Sequence, residues 1–213
     1  CLRSGTTDKW SIHEIILRDD YLISNLPKDA STIIDLGANA GVFSIYTALT
    51  HLKAEIYSFE PEQNNYRYLV KNIQMNGLTK RVHPFQLACS STNSKRTLFM
   101  GSDNRSYSLN QKPNSVRTTV STTTLGKIFN NNKIKTCDLL KIDIEGSEYD
   151  VLYALPKQIF KKITRISLEY HNDNNPQHTA RTLAKFLSMQ GYVTQIKESH
   201  DGMCMIYAKR RIL

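Results

Sequence analysis

The chain has 213 residues, a formal net charge of +9 and 40% hydrophobic residues. Its length suits one domain with a substantial core, and it contains no apolar run of the roughly 20 residues that a membrane-spanning helix needs. These properties exclude a membrane-spanning protein and predict a soluble one, which we expect in the cytoplasm because its four cysteines show no C-x-x-C spacing and are predicted to be free thiols.

The predicted elements divide the chain into two parts. Residues 1–30 are predicted to form an approach segment that covers a ligand pocket, because a polar turn is followed by apolar positions at helical spacing. Residues 31–213 are predicted to form one domain in which strands alternate with helices. The predicted strands are 32–36, 54–59, 82–88, 137–142, 164–170, 192–197 and 203–209, and the predicted helices are 41–51, 62–75, 124–131, 147–160 and 177–190.

Residues 89–124 interrupt this alternation. They are rich in Ser, Thr and Asn, and we predict a β-hairpin insertion there. Asp201-Gly202 is a turn signal that predicts an antiparallel pairing of the last two strands. The whole pattern predicts an α/β protein with the Rossmann-like fold of class I methyltransferases, which is a seven-stranded, mostly parallel sheet with helices on both faces.

The first segment that indicates chemistry follows the first predicted strand. Asp35 lies near the carboxyl end of a strand that is predicted to be buried on both faces, where open α/β sheets bind their ligands. Gly37 and Gly41 allow the chain to turn sharply and to approach a ligand closely. The second strand ends at Glu60, whose two carboxylate oxygens suit the 2′- and 3′-hydroxyls of a ribose. Together these segments indicate a nucleoside site.

A dinucleotide is one candidate for this site, but it requires a G-x-G-x-x-G turn that holds a pyrophosphate. Here the turn is G-A-N-A-G and an acid precedes it. One acid near the cationic sulfonium and α-amino group and another on the ribose instead match S-adenosylmethionine, which we predict as the cofactor, with S-adenosylhomocysteine as its product. Glu62 is predicted to lie on the surface. The predicted cofactor-binding residues are Asp35, Gly37, Ala38, Asn39, Gly41, Phe43, Glu60, Pro61 and Asp143.

A second group of acids follows another buried strand. Asp143 and Glu145 are two positions apart, so they face the same side of the sheet if the chain stays extended. We expect both in the crevice that Asp35 and Glu60 border. Glu148 is predicted in the first turn of the next helix, where a negative charge complements the helix dipole.

The chain resembles the FkbM family of S-adenosylmethionine-dependent methyltransferases. The resemblance implies a seven-stranded fold, S-adenosylmethionine as methyl donor and, often, O-methylation of a hydroxyl on a sugar or a polyketide-like metabolite. Gly126 departs from the family pattern, in which an acid is expected after Thr124-Leu125. The matching motifs span nearly the whole chain: Arg3-x-Gly5-Thr6-x-Asp8, Ile34-Asp35-Leu36-Gly37-Ala38-Asn39-x-Gly41 with Phe43-Ser44, Phe59-Glu60-Pro61, Leu140-Lys141-Ile142-Asp143-Ile144-Glu145-Gly146-x-Glu148 with Val151-Leu152, and Leu168-Glu169-x-His171.

We predict O-methylation of a hydroxyl on a small molecule or glycan. A hydroxyl loses its proton as the methyl group is transferred, so a general base is needed, and the candidate catalytic residues are Asp143, Glu145, Glu169 and His171. The three acids offer oxygen ligands of the kind that Mg²⁺ prefers. We nevertheless expect no metal, because the strand lacks the neighbouring Asp-Asn pair of catechol-type enzymes.

Two other functions stay open at this point. The net charge of +9 leaves an RNA or protein methyltransferase as an alternative, although Lys and Arg are scattered and nucleic acid is not favoured as a partner. A catalytically silent, methyltransferase-like binding module is the second alternative, against which the intact Asp35, Glu60 and Asp143 argue. The sequence does not indicate an oligomeric state.

Overall fold

The computed structural model describes residues 1, 3, 8–100, 107–110, 116–172, 175–198 and 204–211. Within these ranges the chain forms short helical turns at the start and then alternates strands with helices. The helices are α1 Asp8–Ile12, α2 Val42–Thr50, α3 Gln63–Met75, α4 Leu125–Asn131, α5 Glu148–Tyr153, α6 Lys157–Phe160 and α7 Ala180–Met189, with a π-helical turn at His13–Leu17 and a 3₁₀ turn at Ile23–Asn25. The strands are β1 Thr32–Leu36, β2 Glu55–Phe59, β3 Val82–Phe85, β4 Ala88–Cys89, β5 Lys95–Met100, β6 Tyr107–Ser108, β7 Val116–Thr123, β8 Leu139–Ile142, β9 Arg165–Tyr170, β10 Tyr192–Glu198 and β11 Cys204–Arg210.

The main sheet of the described chain has seven strands in the order β10-β11-β9-β8-β1-β2-β3. Neighbouring strands from β9 to β3 are parallel, whereas β11 runs antiparallel to both β9 and β10. This arrangement confirms the predicted fold class. The proposed turn at Asp201-Gly202 lies outside the described residues.

The central strands are apolar because both faces of the sheet are covered. Alternate residues of β1 belong to two different cores, since Ile33 packs with α2, α3 and the N-terminal turns, and Ile34 packs with α4 to α7. Both residues are completely buried. A strand buried on two faces reads as a continuous apolar run, which explains why β1 and β8 could be predicted from the sequence. Within the described residues, no helix is long and apolar enough to cross a membrane.

The predicted helix 147–160 differs from the structure. It is interrupted, so that α5 ends at Tyr153 and α6 begins at Lys157. Pro156 lies at the break in an extended conformation (ψ 142°). Proline has no backbone N–H to donate and disfavours helical geometry in the residue before it, so one continuous helix cannot pass through this point.

The predicted hairpin insertion is present as the antiparallel pair β5 and β7. Together with β4 and β6 it forms a second, four-stranded sheet, so the predicted strand 82–88 is divided between β3 and β4. The hairpin is fixed to the loop after β8, because Ser108 Oγ donates to the carbonyl of Glu145 at 2.5 Å and Asn110 Nδ2 donates to that of Gly146 at 2.8 Å. The insertion therefore lies against the carboxyl edge of the main sheet.

Candidate active site

The turn after β1 lies in direct contact with the loop after β8. Gly37 has a φ of +79°, and a Cβ at this position would lie 1.8 Å from the carbonyl oxygen of Asp143. Only glycine fits here, because any side chain would collide with that backbone. Gly41 also has a positive φ of +91°, and its missing Cβ leaves room for Leu69. Gly41 serves the packing of α2 on α3 and lines neither of the two cavities described below, and its contact with the cofactor stays a prediction.

Asp35 does not reach the crevice either. It is completely buried, and Ser44 Oγ donates to its Oδ2 at 2.6 Å while Lys141 Nζ lies 3.1 Å from its Oδ1. Positions 33 and 35 share a strand face, so Asp35 points toward α2. Asp35 is joined to the β1 turn through Lys141, whose Nζ also donates to the carbonyl of Gly37 at 2.6 Å. The direct contact of Asp35 with the cofactor stays a prediction. Burial lowers the pKa of Lys141, but Asp35 and Asp143 outweigh burial and raise it.

Glu60 is a buried carboxylate at the end of β2. Its Oε2 accepts from the backbone N–H of Asn39 at 2.8 Å, and its Oε1 accepts from that of Glu62 at 2.9 Å and from Asn65 Nδ2 at 3.4 Å. Burial raises the pKa of Glu60 to about 7, although the backbone donors oppose this rise. Three donors leave acceptor capacity on the two oxygens, and the residue lines the crevice.

Glu62 is a correction to the sequence analysis, which expected it on the surface. It is 8% exposed, and its Oε2 accepts from the backbone N–H of Asn65 at 2.7 Å. It is the N-cap of α3. Helix α3, which Glu62 caps, carries Asn65, and Asn65 donates to Glu60. Glu62 therefore helps to position a residue that contacts the crevice carboxylate.

The main crevice lies between the ends of β1, β2 and β8 and the hairpin insertion. It contains about 640 Å³ of space free of protein atoms, a figure that includes the open solvent at its mouth. Its lining combines apolar side chains with carboxylates. The lining residues are Gly37, Asn39, Phe59, Glu60, Pro61, Asn65, Leu87, Ala88, Cys89, Leu98, Tyr107, Leu109, Asp143, Ile144, Glu145 and Ser147.

An adjoining cavity lies between the β1 turn and the N-terminal segment, and Asp8, Ser11, Glu14, Tyr21 and Lys141 contribute to its lining. It shares Gly37, Asn39 and Asp143 with the main crevice and also includes Ala38 and Phe43. Apart from Asp35 and Gly41, the predicted cofactor-binding residues therefore lie around these two connected spaces.

Arg3 ties the N-terminal segment to the crevice. Its guanidinium is 2.7 Å from Asp8 Oδ1 and donates to Asn65 Oδ1 at 2.6 Å and Asn39 Oδ1 at 3.0 Å. Asn39 and Asn65 are both donors to Glu60. Arg3 thus fixes two of the groups that hold this carboxylate, a role that the sequence motif around Arg3 did not reveal. Gly5 and Thr6 of that motif lie outside the described residues.

The chain does not stay extended after β8. The strand ends at Ile142, and Glu145 has a φ of +54° in the left-handed region. Asp143 and Glu145 nevertheless both line the main crevice. Their predicted convergence is therefore met through a tight turn rather than through strand alternation.

Asp143, Glu169 and His171, which we name the rim cluster, meet beside this turn. His171 Nε2 lies 3.6 Å from Glu169 Oε1 and 4.0 Å from Asp143 Oδ1. Tyr21 from the N-terminal segment donates to Asp143 Oδ2 at 3.1 Å and to Glu169 Oε2 at 3.2 Å. Burial and the charge of Asp143 raise the pKa of Glu169 to about 8. Sequence reasoning missed Tyr21, because its partners are more than a hundred residues away.

Glu148 holds the other side of His171. It is completely buried, and its Oε1 accepts from His171 Nδ1 at 2.8 Å and from the backbone N–H of Gly146 at 3.1 Å. Burial alone lowers the pKa of His171, but Glu148, Asp143 and Glu145 outweigh burial and raise it to about 10. Glu148 therefore does more than complement the dipole of α5, since it fixes both the histidine and the turn.

Comparisons with known proteins bear on the family and the fold of the chain. A family model described as "Methyltransferase FkbM domain" matches residues 35–194. The chain is 24% identical to "Methyltransferase 1" of Beauveria bassiana (strain ARSEF 2860), an alignment that covers 92% of this chain and 88% of that protein.

Solved structures share the fold at low identity. The methyltransferase FkbM of Methylobacillus flagellatus KT matches with a TM-score of 0.59 and 16% identity, over 88% of this chain and 46% of that one. TrmK of M. capricolum, solved with S-adenosyl-homocysteine, matches with a TM-score of 0.57 and 15% identity, over 91% of this chain and 68% of that one.

Proposed function

The chain belongs to the FkbM methyltransferase family, and from that premise we propose that it transfers a methyl group to a hydroxyl oxygen of a small molecule or glycan. It is an S-adenosylmethionine-dependent methyltransferase. When bound, the cofactor supplies an electrophilic methyl group on its sulfonium. The acceptor and the residues that serve it are the part that we propose.

The residues that line the main crevice have chemical properties that suit this cofactor. Glu60 is buried and keeps acceptor capacity toward the crevice, as the hydroxyls of a ribose require. Leu87, Ala88 and Leu98 supply an apolar wall of the kind that an adenine ring requires. The glycine turn at Gly37 brings backbone close to the ligand space. We assign the ribose to Glu60 and the methionine end to the turn beside Asp143.

The observation that carries the choice of acceptor is the convergence of carboxylates at one end of the crevice. Asp143 and Glu145 line it, Glu169 lies beside Asp143, and Glu14 lines the adjoining cavity. Negative potential at this end repels phosphate groups, which disfavours nucleic acid despite the net charge of +9. It suits an acceptor whose hydroxyl must give up a proton. We assign Asp143, Glu145, Glu169 and His171 to positioning this hydroxyl. The proton passes to a carboxylate of this group, since the raised pKa of His171, about 10, keeps its ring protonated at neutral pH.

The test measures cofactor binding and methyl-transfer turnover separately in two variants. In Asp143→Asn and His171→Ala we expect affinity for S-adenosylhomocysteine close to that of the wild type, measured by calorimetry. Formation of S-adenosylhomocysteine with the small-molecule fraction of cells that carry the gene should fall about 10²–10⁴-fold, the usual contribution of a positioned acid or base. Turnover equal to that of the wild type in both variants would contradict the assignment.

A further inference from the structure

Each member of the rim cluster has a hydrogen-bond partner outside the cluster. Tyr21 donates to one oxygen of each carboxylate, Asp143 Oδ2 and Glu169 Oε2. Glu148 Oε1 accepts from His171 Nδ1. The other oxygens, Asp143 Oδ1 and Glu169 Oε1, are those nearest to His171 Nε2. Potential ligand atoms of the three residues all lie within 4.8 Å of one another.

The spacing of these atoms is too wide for hydrogen bonds between them. His171 Nε2 is 3.6 Å from the glutamate oxygen and 4.0 Å from the aspartate oxygen. An octahedral ion with ligands at about 2.1 Å holds adjacent ligand atoms about 3 Å apart. Side-chain movements of about an ångström would therefore close the cluster around an ion.

Carboxyl groups outnumber basic side chains around the cluster. Glu148 is completely buried, and its Oε2 has no hydrogen-bond partner among the described residues. Asp143 and Glu169 add two further carboxylates, while Lys141 is committed to Asp35 and to the carbonyl of Gly37, although its Nζ also lies 3.5 Å from Asp143 Oδ2. A histidine that is backed by a buried carboxylate is the usual arrangement for a metal ligand, since the carboxylate fixes the ring and makes it more basic.

We propose that Asp143, Glu169 and His171 bind a divalent cation of the Mn²⁺ or Mg²⁺ kind. Two carboxylate oxygens and one imidazole nitrogen suit Mn²⁺ in particular, because carboxylates favour Mn²⁺ and Mg²⁺ whereas imidazole favours transition metals. Sequence analysis expected no metal because the strand lacks the neighbouring Asp-Asn pair of catechol-type enzymes, and the ligands that it weighed included Glu145 but not His171. The ion takes the place of the Nε2 proton, which is released to solvent.

The role of the ion rests on the proposed function. The acceptor hydroxyl would occupy an open position on the ion, which lowers the pKa of that hydroxyl. Its proton passes to Glu145, the crevice carboxylate outside the cluster. The new O–CH₃ bond forms as the S–CH₃ bond breaks, and the cofactor sulfur leaves as a neutral thioether.

The test measures metal binding without any acceptor. The full chain is stripped with EDTA, saturated with S-adenosylhomocysteine and titrated with Mn²⁺, and free Mn²⁺ is followed by electron paramagnetic resonance. We expect one saturable site per chain. Its affinity should fall about tenfold or more in Asp143→Asn, Glu169→Gln and His171→Ala. It should fall about tenfold in Glu148→Gln, which removes no ligand but weakens the hold on the histidine and on the turn.

Glu14→Gln is the matched control, because it removes one negative charge near the cluster without removing a ligand. Its Mn²⁺ affinity should stay within about threefold of the wild-type value, given that a single nearby charge acts through a screened field. Retained S-adenosylhomocysteine binding shows that each variant is folded. Absence of a saturable site in the wild type, or equal Mn²⁺ affinity in the three ligand variants and the wild type, would overturn the proposal. Either result would leave the proposal of hydroxyl methylation standing. If the enzyme bound Mn²⁺ but methylated RNA, the metal site would be retained and the proposed acceptor would be refuted.

Discussion

Glu60 Oε2 accepts a hydrogen bond from the backbone N–H of Asn39 at 2.8 Å. This bond joins the end of β2 to the turn after β1, and it aligns the carboxylate that borders the main crevice. The glycine turn and the acid after the second strand are therefore one structural unit, and the predictions for the cofactor begin with this carboxylate.

Glu60→Ala should weaken binding of S-adenosylmethionine by about 1.5–3 kcal/mol, roughly ten- to a hundredfold, because it removes hydrogen bonds between a charged carboxylate and the ribose. Titration calorimetry measures this. Glu55→Ala, at the opposite end of the same strand, is the control and should bind as the wild type does. Equal affinity in Glu60→Ala and the wild type would remove Glu60 from the site.

Cofactor affinity should rise with pH through neutrality. Burial raises the pKa of Glu60 to about 7. The neutral form of this group therefore stabilises the free protein fully only at acidic pH. That stabilisation is lost as the pH rises through the pKa and Glu60 ionises. The ionised form is the better acceptor, so affinity should increase about tenfold from pH 6 to pH 8. Glu60→Gln should bind more weakly and lose this dependence; the same pH profile in that variant would assign the titration to another group.

Gly37→Ala should destabilise the protein and abolish cofactor binding, since its Cβ would lie 1.8 Å from the backbone of Asp143. Gly77→Ala is a matched control, because Gly77 also has a positive φ but a Cβ added there would meet no atom within 4 Å. The control should cost only about 1–2 kcal/mol, the conformational penalty for a left-handed residue. Chemical denaturation compares the two, and similar losses would mean that the β1 turn relaxes easily.

Lys141→Met should cost about 3–5 kcal/mol of unfolding free energy, because it leaves Asp35 charged and completely buried. Lys141→Met combined with Asp35→Asn should recover part of that loss, since the uncompensated charge is then gone. The four proteins of this cycle can be compared by urea denaturation. A single variant as stable as the wild type would show that the pair contributes nothing.

The sequence predicted what depends on local pattern. The buried strands are continuous apolar runs, and Glu60 follows one of them directly, so both the fold and this part of the site were accessible. The burial of Asp35 against α2 could not be predicted, because a continuous apolar run does not tell which face of the strand a residue lies on. Lys141 carried a usable signal, since a lysine inside an apolar strand needs a buried acid as partner.

The remaining site residues depend on contacts between distant parts of the chain. Glu148 and His171 are 23 residues apart and Tyr21 and Glu169 are 148 apart, and no spacing rule connects them. Glu62 looked like a surface residue because its capping bond to Asn65 becomes visible only once the start of α3 is known. Tertiary packing, rather than local pattern, brings together the rim cluster, Tyr21 and Glu148.

The most direct test of the central claim is the fate of a labelled methyl group. Extracts of cells that carry the gene are incubated with the enzyme and S-adenosylmethionine labelled in its methyl group, with Asp143→Asn as the control, and the products are analysed by mass spectrometry and NMR. We predict a labelled O–CH₃ group on a small molecule or glycan that is absent from the control. Label found instead in RNA, in protein or on a nitrogen atom would contradict hydroxyl methylation.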